Sequence, residues 1–231
     1  MILKGLQKLT LLDFPGKIAC TVFAGGCNFR CPFCHNASLV LGDRLSQSPT
    51  LSEDDFFAFL KKRRGMLEGV CVSGGEPSLY PDIIPFLINI KNLGFSVKLD
   101  TNGYRPSVIR EAINSGAVDY FAMDIKNSKE SYAKTVGIKD FDISKIEESV
   151  SHLMSGGVDF EFRTTLVRQL HTEEDILSIG EWLRGNEKYF LQTFEDSGDL
   201  INSNFDGYDK NETEYLLKLL KPYVPNAQIR G

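Results

Sequence analysis

No stretch of this 231-residue chain is an unbroken apolar run of the ~18 residues that a membrane span needs. The opening residues, MILKGLQKLTLLDFPGK, lack the continuous apolar segment and small-residue cleavage site of a secretory signal. No Pro/Gly/Ser-rich linker divides the chain, and no segment is of low complexity. These absences predict a cytoplasmic protein with one domain over residues 1–231 and no membrane partner. Basic charge is also in short supply: 26 Lys and Arg stand against 31 Asp and Glu, a net −5. That balance argues against a dedicated nucleic-acid binder. The one basic cluster, KKRR at Lys61–Arg64, reads as the solvated end of a helix, where cations suit the negative terminus.

Cysteine is scarce, and its distribution is uneven. Of five cysteines, Cys20 and Cys71 fall in apolar runs and read as small buried hydrophobes. The other three, Cys27, Cys31 and Cys34, lie within eight residues of AGGCNFRCPFCHN. In a reducing compartment such a cluster indicates metal or redox chemistry rather than a disulfide framework. A fourth cysteine is missing. A structural zinc site wants four ligands, usually from two paired arms, and only the adjacent His35 is available to complete it. An iron–sulfur cluster held by three thiolates leaves one iron open to a small molecule. From the residues alone both readings stand, the deficit favouring the cluster.

Short β-branched or apolar runs alternate with longer helical patterns. Strands are predicted at 17–23, 69–75, 95–103, 118–126, 158–167 and 189–194. Helices are predicted at 51–66, 81–94, 105–116, 142–157, 172–187 and 210–223, the first opened by a capping box from Thr50 to Glu53. Six strand–helix units in strict alternation predict an α/β fold with parallel strands, either doubly wound or an incomplete barrel. The longest irregular piece, 36–49, follows the cysteines and is expected to fold over them. In such folds chemistry collects where strands meet their following loops. The first five strands all carry polar groups there: the cysteine loop, SGGEP, DTNG, MDIK and the arginine of EFRTT.

At these residues the chain resembles the radical S-adenosylmethionine (SAM) superfamily. Cys27-Asn-Phe-Arg-Cys31-Pro-Phe-Cys34 matches its Cys-x3-Cys-x-aromatic-Cys signature, and Gly74-Gly75-Glu76-Pro77 falls where the family carries its second motif. The resemblance covers essentially the whole chain and implies a partial (β/α)6 TIM-like barrel. LTLLDFPGKIACTVFAGGCNFRCPFCHN, SGGEP, DTNG, MDIK and the closing NAQIRG look most like the longer activating proteins of anaerobic ribonucleoside-triphosphate reductase. Those are relatives of pyruvate formate-lyase activating enzyme.

The resemblance implies a [4Fe–4S] cluster on Cys27, Cys31 and Cys34, with SAM chelated at the open iron. One electron, from a flavodoxin or ferredoxin, cleaves SAM to methionine and a 5′-deoxyadenosyl radical. That radical then takes hydrogen from a glycine of a glycyl radical enzyme. Phe33 is implied beside the adenine, and Gly74 and Gly75 as a close backbone approach to SAM. Glu76, or carbonyls of its turn, is implied at the ammonium. Asp100, Thr101, Asp124, Lys126 and Arg163 are implied as further SAM contacts, with Asn102 a weaker candidate. Pyruvate formate-lyase activating enzymes place a histidine on the sixth strand; here Gln192 is the substitute, while His152 and His171 read as surface or capping residues. Five cysteines cannot furnish the further four-cysteine sets of activases with an inserted ferredoxin domain. An activase of a pyruvate formate-lyase-like enzyme or a small-molecule substrate is the alternative within the superfamily, and pure electron transfer or structural zinc the alternative outside it.

Overall fold

The computed structural model of the chain describes residues 1–196 and 198–230. Among them, eight strands form one sheet in sequence order: β1 (Leu3–Thr10), β2 (Ala19–Ala24), β3 (Gly69–Gly74), β4 (Ser96–Thr101), β5 (Tyr120–Asp124), β6 (Asp159–Leu166), β7 (Tyr189–Thr193) and β8 (Gln228–Arg230). From β2 to β8 every neighbouring pair is parallel. β2 and β3 are buried on both faces, which is why ACTVFA and GVCVSG read as nearly continuous small or β-branched runs. The alternation along β4 shows the layering. Val97 and Leu99 join the hydrophobic core, while Lys98 and Asp100 meet Cys71 of β3 and Arg163 of β6. β1 and β8 are the two sheet edges and do not pair among the described residues. The sheet is therefore a barrel left open at one seam, the expected partial (β/α)6 architecture with an added strand at each edge.

The two added strands are corrections. β1 pairs antiparallel with β2, from Leu3 opposite Ala24 to Thr10 opposite Ala19. Its sequence LKGLQKLT mixes Gly, Lys and Gln into the alternation because its outer side is solvated. β8 is three residues long and owes its place to pairing with β7. Gly231, which closes the NAQIRG motif, lies outside the described residues.

The helices between strands are α3 (Glu53–Lys62), α4 (Ile83–Asn92), α5 (Pro106–Asn114), α7 (Ser144–Met154), α8 (Glu173–Trp182) and α9 (Lys210–Leu220). Pro85 is tolerated because it sits in the first turn of α4, where its missing N–H has no helical partner to lose. The predicted cap of α3 is displaced. Ser52, not Thr50, accepts the N–H of Asp55 at 3.0 Å, since Thr50 is drawn aside to Lys4. Segment 36–49 is not irregular: it forms α1 (Ala37–Val40) and α2 (Gly42–Gln47). A further short helix, α6 (Tyr132–Val136), follows β5. No helix among the described residues is long and apolar enough to cross a membrane.

Candidate active site

A cavity of about 330 Å³ opens at the C-terminal ends of the strands. Cys27, Cys31 and Cys34 line it, on the loop that follows β2. Backbone hydrogen bonds fasten that loop from four sides. Gly26 N–H donates to Leu39 O at 2.7 Å, Arg30 N–H to Val136 O at 2.9 Å, Asn202 N–H to Pro32 O at 2.8 Å, and Glu76 N–H to Gly26 O at 2.8 Å. The first of these sets α1 against the cysteines, and Asn36 and Val40 reach the cavity, so segment 36–49 lies where it was expected. Burial pushes the Cys27 thiol up to about 11 and the Cys31 thiol up to about 12. Both are protonated at neutral pH without a metal, so loading one must release protons.

Opposite the cysteines runs a chain of alternating charge across β4, β5 and β6. Lys98 meets Asp100; Asp100 lies 3.6 Å from Arg163; Arg163 Nε donates to Asp124 at 3.0 Å; Lys126 Nζ donates to Asp124 at 2.9 Å. Burial pushes the Asp124 carboxyl up, but Lys126 and Arg163 outweigh it and hold the group down to about 2. Burial alone would lower Lys126 and Arg163, yet Asp124 keeps both well above their ordinary values and fully charged. Lys126, Arg163, Asp100 and Asp124 line the cavity, and with Lys98 buried behind Asp100 the network holds three cations to two anions, one surplus positive charge.

Of the residues predicted from sequence, Phe33, Gly74, Gly75, Asp100, Thr101, Asn102, Asp124, Lys126, Arg163 and Gln192 all line the cavity with the three cysteines. Phe33 also packs edge-on against Phe194, with ring centroids 6.4 Å apart. Glu76 does not line it. Its side chain is 0% exposed, and its oxygens accept from Ser78 N–H (3.0 Å), Thr101 Oγ1 (2.8 Å) and Asn102 N–H (2.6 Å). The carboxylate ties the turn after β3 to the end of β4, which leaves backbone rather than carboxylate as that turn's cavity-facing group. Thr101 donates its hydroxyl to the same carboxylate.

The glycine pair has a further reason beside the one expected. A Cβ on Gly75 would sit 2.0 Å from Gly26 O, and one on Gly74 (φ +115°) 2.4 Å from Ala24 O. Their bareness admits the cysteine loop itself. His171 is a correction too: it is fully buried, accepting from Val167 N–H at Nδ1 (3.0 Å) and bonding Lys126 O through Nε2 (2.8 Å). It braces the backbone of Lys126. His152, as predicted, sits on a helix surface beside Glu148. Cys20 and Cys71 are fully buried, as expected of core cysteines.

Sequence reasoning missed Lys98, Ser73, Asn28 and Thr165. Lys98 was visible in principle, because strand alternation puts it on the same face as Asp100. Ser73, which donates to Asp100 at 2.9 Å, follows from the same rule on β3.

A sequence model of the Radical SAM superfamily matches residues 21–183. The chain belongs to that superfamily. It is a radical SAM enzyme, and the cofactors of that family are a [4Fe–4S] cluster and SAM. A Methanocaldococcus jannaschii protein provisionally named a glycyl-radical enzyme activating enzyme is 31% identical, the match covering 99% of this chain and 95% of the relative. The 7-carboxy-7-deazaguanine synthase of Koribacter versatilis is 26% identical across 66% of this chain, which spans only 63% of that protein. Among solved structures, Streptococcus suis SuiB bound to the precursor peptide SuiA superposes with a TM-score of 0.70 at 16% identity. That match covers 90% of this chain and 47% of SuiB.

The residues present fit the radical SAM cofactors. Among the described residues no three His, Cys, Asp or Glu side chains converge on a single-ion position. The thiols are instead spread around one cavity, as a cluster with its irons at separate corners requires. Beside Cys27, the buried Asn28 Nδ2 is a donor with no partner among the described groups, and cluster sulfides are acceptors. His35, which would have to complete a zinc site, packs its ring against Phe194, with centroids 5.1 Å apart.

Proposed function

We propose that this radical SAM enzyme is an activase that installs a glycyl radical on a partner enzyme, with anaerobic ribonucleoside-triphosphate reductase as that partner. The observation that carries the reading is the nearly end-to-end similarity to the Methanocaldococcus jannaschii protein. The open seam between β1 and β8 supports it, since a glycine on a loop of a large protein needs a lateral entry. Cys27, Cys31 and Cys34 would hold the cluster. Bound there, it would supply the single electron, delivered by a flavodoxin or ferredoxin, for cleavage of SAM to methionine and for removal of the glycine hydrogen by the 5′-deoxyadenosyl group.

The chain's own residues bind and orient. Lys126 and Arg163, with the surplus positive charge of their network, hold the SAM carboxylate. Backbone carbonyls of the Gly74–Gly75 turn receive its ammonium, and Phe33 flanks the adenine. Asp100 and Asp124 keep both cations in place and offer acceptors to the ribose hydroxyls. The apolar wall of Phe33, Phe29 and Val40 excludes water from the reacting end. Glycyl radicals are destroyed by oxygen, which sets the process in an anaerobic cytoplasm.

A second reading, a small-molecule substrate, is favoured by the Koribacter versatilis relative, whose named product is a small molecule. The test is to reconstitute the protein anaerobically with iron and sulfide, reduce it, add SAM and quantify 5′-deoxyadenosine beside a Cys31→Ala variant. The reductase is then added and its glycyl radical sought by electron paramagnetic resonance. Cysteine-dependent product together with a glycyl doublet is expected. Vigorous SAM cleavage with no doublet on the reductase would sink the reductase as partner, and no doublet on a pyruvate formate-lyase-like enzyme either would sink the activase reading and leave the second.

A further inference from the structure

Asn102 has a fixed side-chain amide, and the fixing points one N–H at a cysteine. Its own N–H is held by Glu76 at 2.6 Å, and its Oδ1 accepts from Tyr104 N–H at 3.0 Å. Nδ2 must therefore face the other way. One of its hydrogens goes to Asn28 Oδ1 at 2.9 Å, and Cys27 Sγ lies 3.8 Å from the same nitrogen. The Asn28 amide is oriented in turn, because flipping it would set two NH2 groups against each other. Cys27 Sγ also accepts from Phe29 N–H at 3.4 Å. Among the described residues no hydrogen bond reaches the sulfur of Cys31 or Cys34. The three thiols are thus unequal: Cys27 alone sits in a donor pocket, one donor from its own loop and one from the end of β4.

A donor aimed at a thiolate sulfur stabilises the more negative redox state of a cluster the more strongly, and so raises its reduction potential. We propose that Asn102 is a positioning residue that sets the potential of the cluster by donating its second amide hydrogen to Cys27 Sγ. This rests on reading Cys27, Cys31 and Cys34 as the cluster ligands. It also gives Glu76 a purpose. The buried carboxylate that holds Asn102 by its backbone aims that amide, so the second family motif acts on the cluster from a distance.

The experiment compares wild-type protein with Asn102→Leu and Asn102→Asp, each reconstituted anaerobically and assayed for iron and sulfide. Potentials are measured without SAM by redox titration followed by electron paramagnetic resonance. Asn102→Leu removes the donor; Asn102→Asp keeps the size and the Tyr104 contact but turns the donor into a negative acceptor. The expected order of potentials is wild type highest, Asn102→Leu lower and Asn102→Asp lowest, with four irons per chain throughout. Loaded variants whose potentials equal that of wild type overturn the inference alone and leave Asn102 as a brace for Asn28. Loss of the cluster from both variants overturns it as well, since the residue then holds the loop rather than tuning it. A wild-type chain that cannot hold four irons overturns the ligand assignment and the inference together.

Discussion

The barrel interior is charged at both ends, and the two ends are built differently. At the cysteine end, Lys98, Asp100, Arg163, Asp124 and Lys126 share partners along a line, three cations to two anions, with side chains 29% exposed at Asp124 and 20% at Lys126. At the opposite end, Glu161 is 1% exposed and fully engaged. Arg230 grips it with two bonds, 2.6 and 3.0 Å, and Tyr120 donates at 2.9 Å. Arg230 also lies 3.6 Å from the centroid of the Phe190 ring. One anion, one cation and one hydroxyl satisfy one another, even though Arg230 is 37% exposed and a cavity of about 520 Å³ opens beside them. The network at the cysteine end carries an odd charge instead, tolerable in the empty protein and completed by an anion. Buried ion pairs by themselves say little about function; the surplus charge, not exposure, separates a site from a plug.

The largest effect that would break this comparison comes from glycine rather than charge. Gly75→Ala puts a methyl group 2.0 Å from Gly26 O, backbone against backbone, so the cysteine loop must move. Iron loading should fall to traces, and SAM cleavage by ~100-fold or more, since a displacement of about 1 Å at a reacting centre alone costs that much. Gly116→Ala is the control. It has φ +64° but open space around it, so it should lose ~1 kcal/mol of stability and keep its iron. Equal iron content in the two variants would show that the turn after β3 does not position the cysteines.

Next in size are the charges. Lys126→Ala should weaken SAM binding by ~10-fold or more, about 1.4 kcal/mol, with a modest loss of stability. Arg230→Ala should do the opposite. It leaves the buried Glu161 carboxylate with Tyr120 alone, costing ~1–3 kcal/mol in urea unfolding because Arg230 is 37% exposed, and leaves SAM affinity unchanged. If Arg230→Ala also lowered SAM affinity, the division into site and plug would fail.

How much of this was legible in the sequence divides along similar lines. The six central strands were readable because burial on both faces forces β-branched and small residues into short unbroken runs. The outer strands were not: half-solvated β1 tolerates Lys and Gln, and three-residue β8 exists only through its neighbour. The cysteine trio and the polar strand ends were readable because spacing along a strand fixes position. Direction of a side chain beyond the backbone is not so fixed. Glu76 turns away from the cavity because three donors at Ser78, Thr101 and Asn102 lie behind it, and two of them belong to another strand. His171 is buried for the same kind of reason: Lys126 O, 45 residues away in sequence, is its partner. Contacts of that separation leave no local pattern to read.

The smallest effect is titration, which reads the cysteine end most directly at its acid limit. Asp124 sits at about 2 in the folded chain, below its ordinary 3.8. A depressed carboxyl adds stability in full above the unfolded value and loses it as pH falls toward the folded one. The cysteine end should therefore weaken between pH 4 and 2. Tyr120 is displaced the other way: burial, then Glu161, raises its hydroxyl above the usual 10. A raised group contributes in full below the unfolded value and loses that contribution as pH climbs past it, so the opposite end should weaken above pH 10. Urea unfolding across pH would show both limbs. Asp124→Asn should flatten the acid limb. Tyr120→Phe should soften the alkaline limb, to which the raised Cys27, Cys31 and Lys126 also contribute, and leave the acid limb alone. If Tyr120→Phe altered the acid limb, the two charged layers would be coupled through the barrel and would have to be treated as one network.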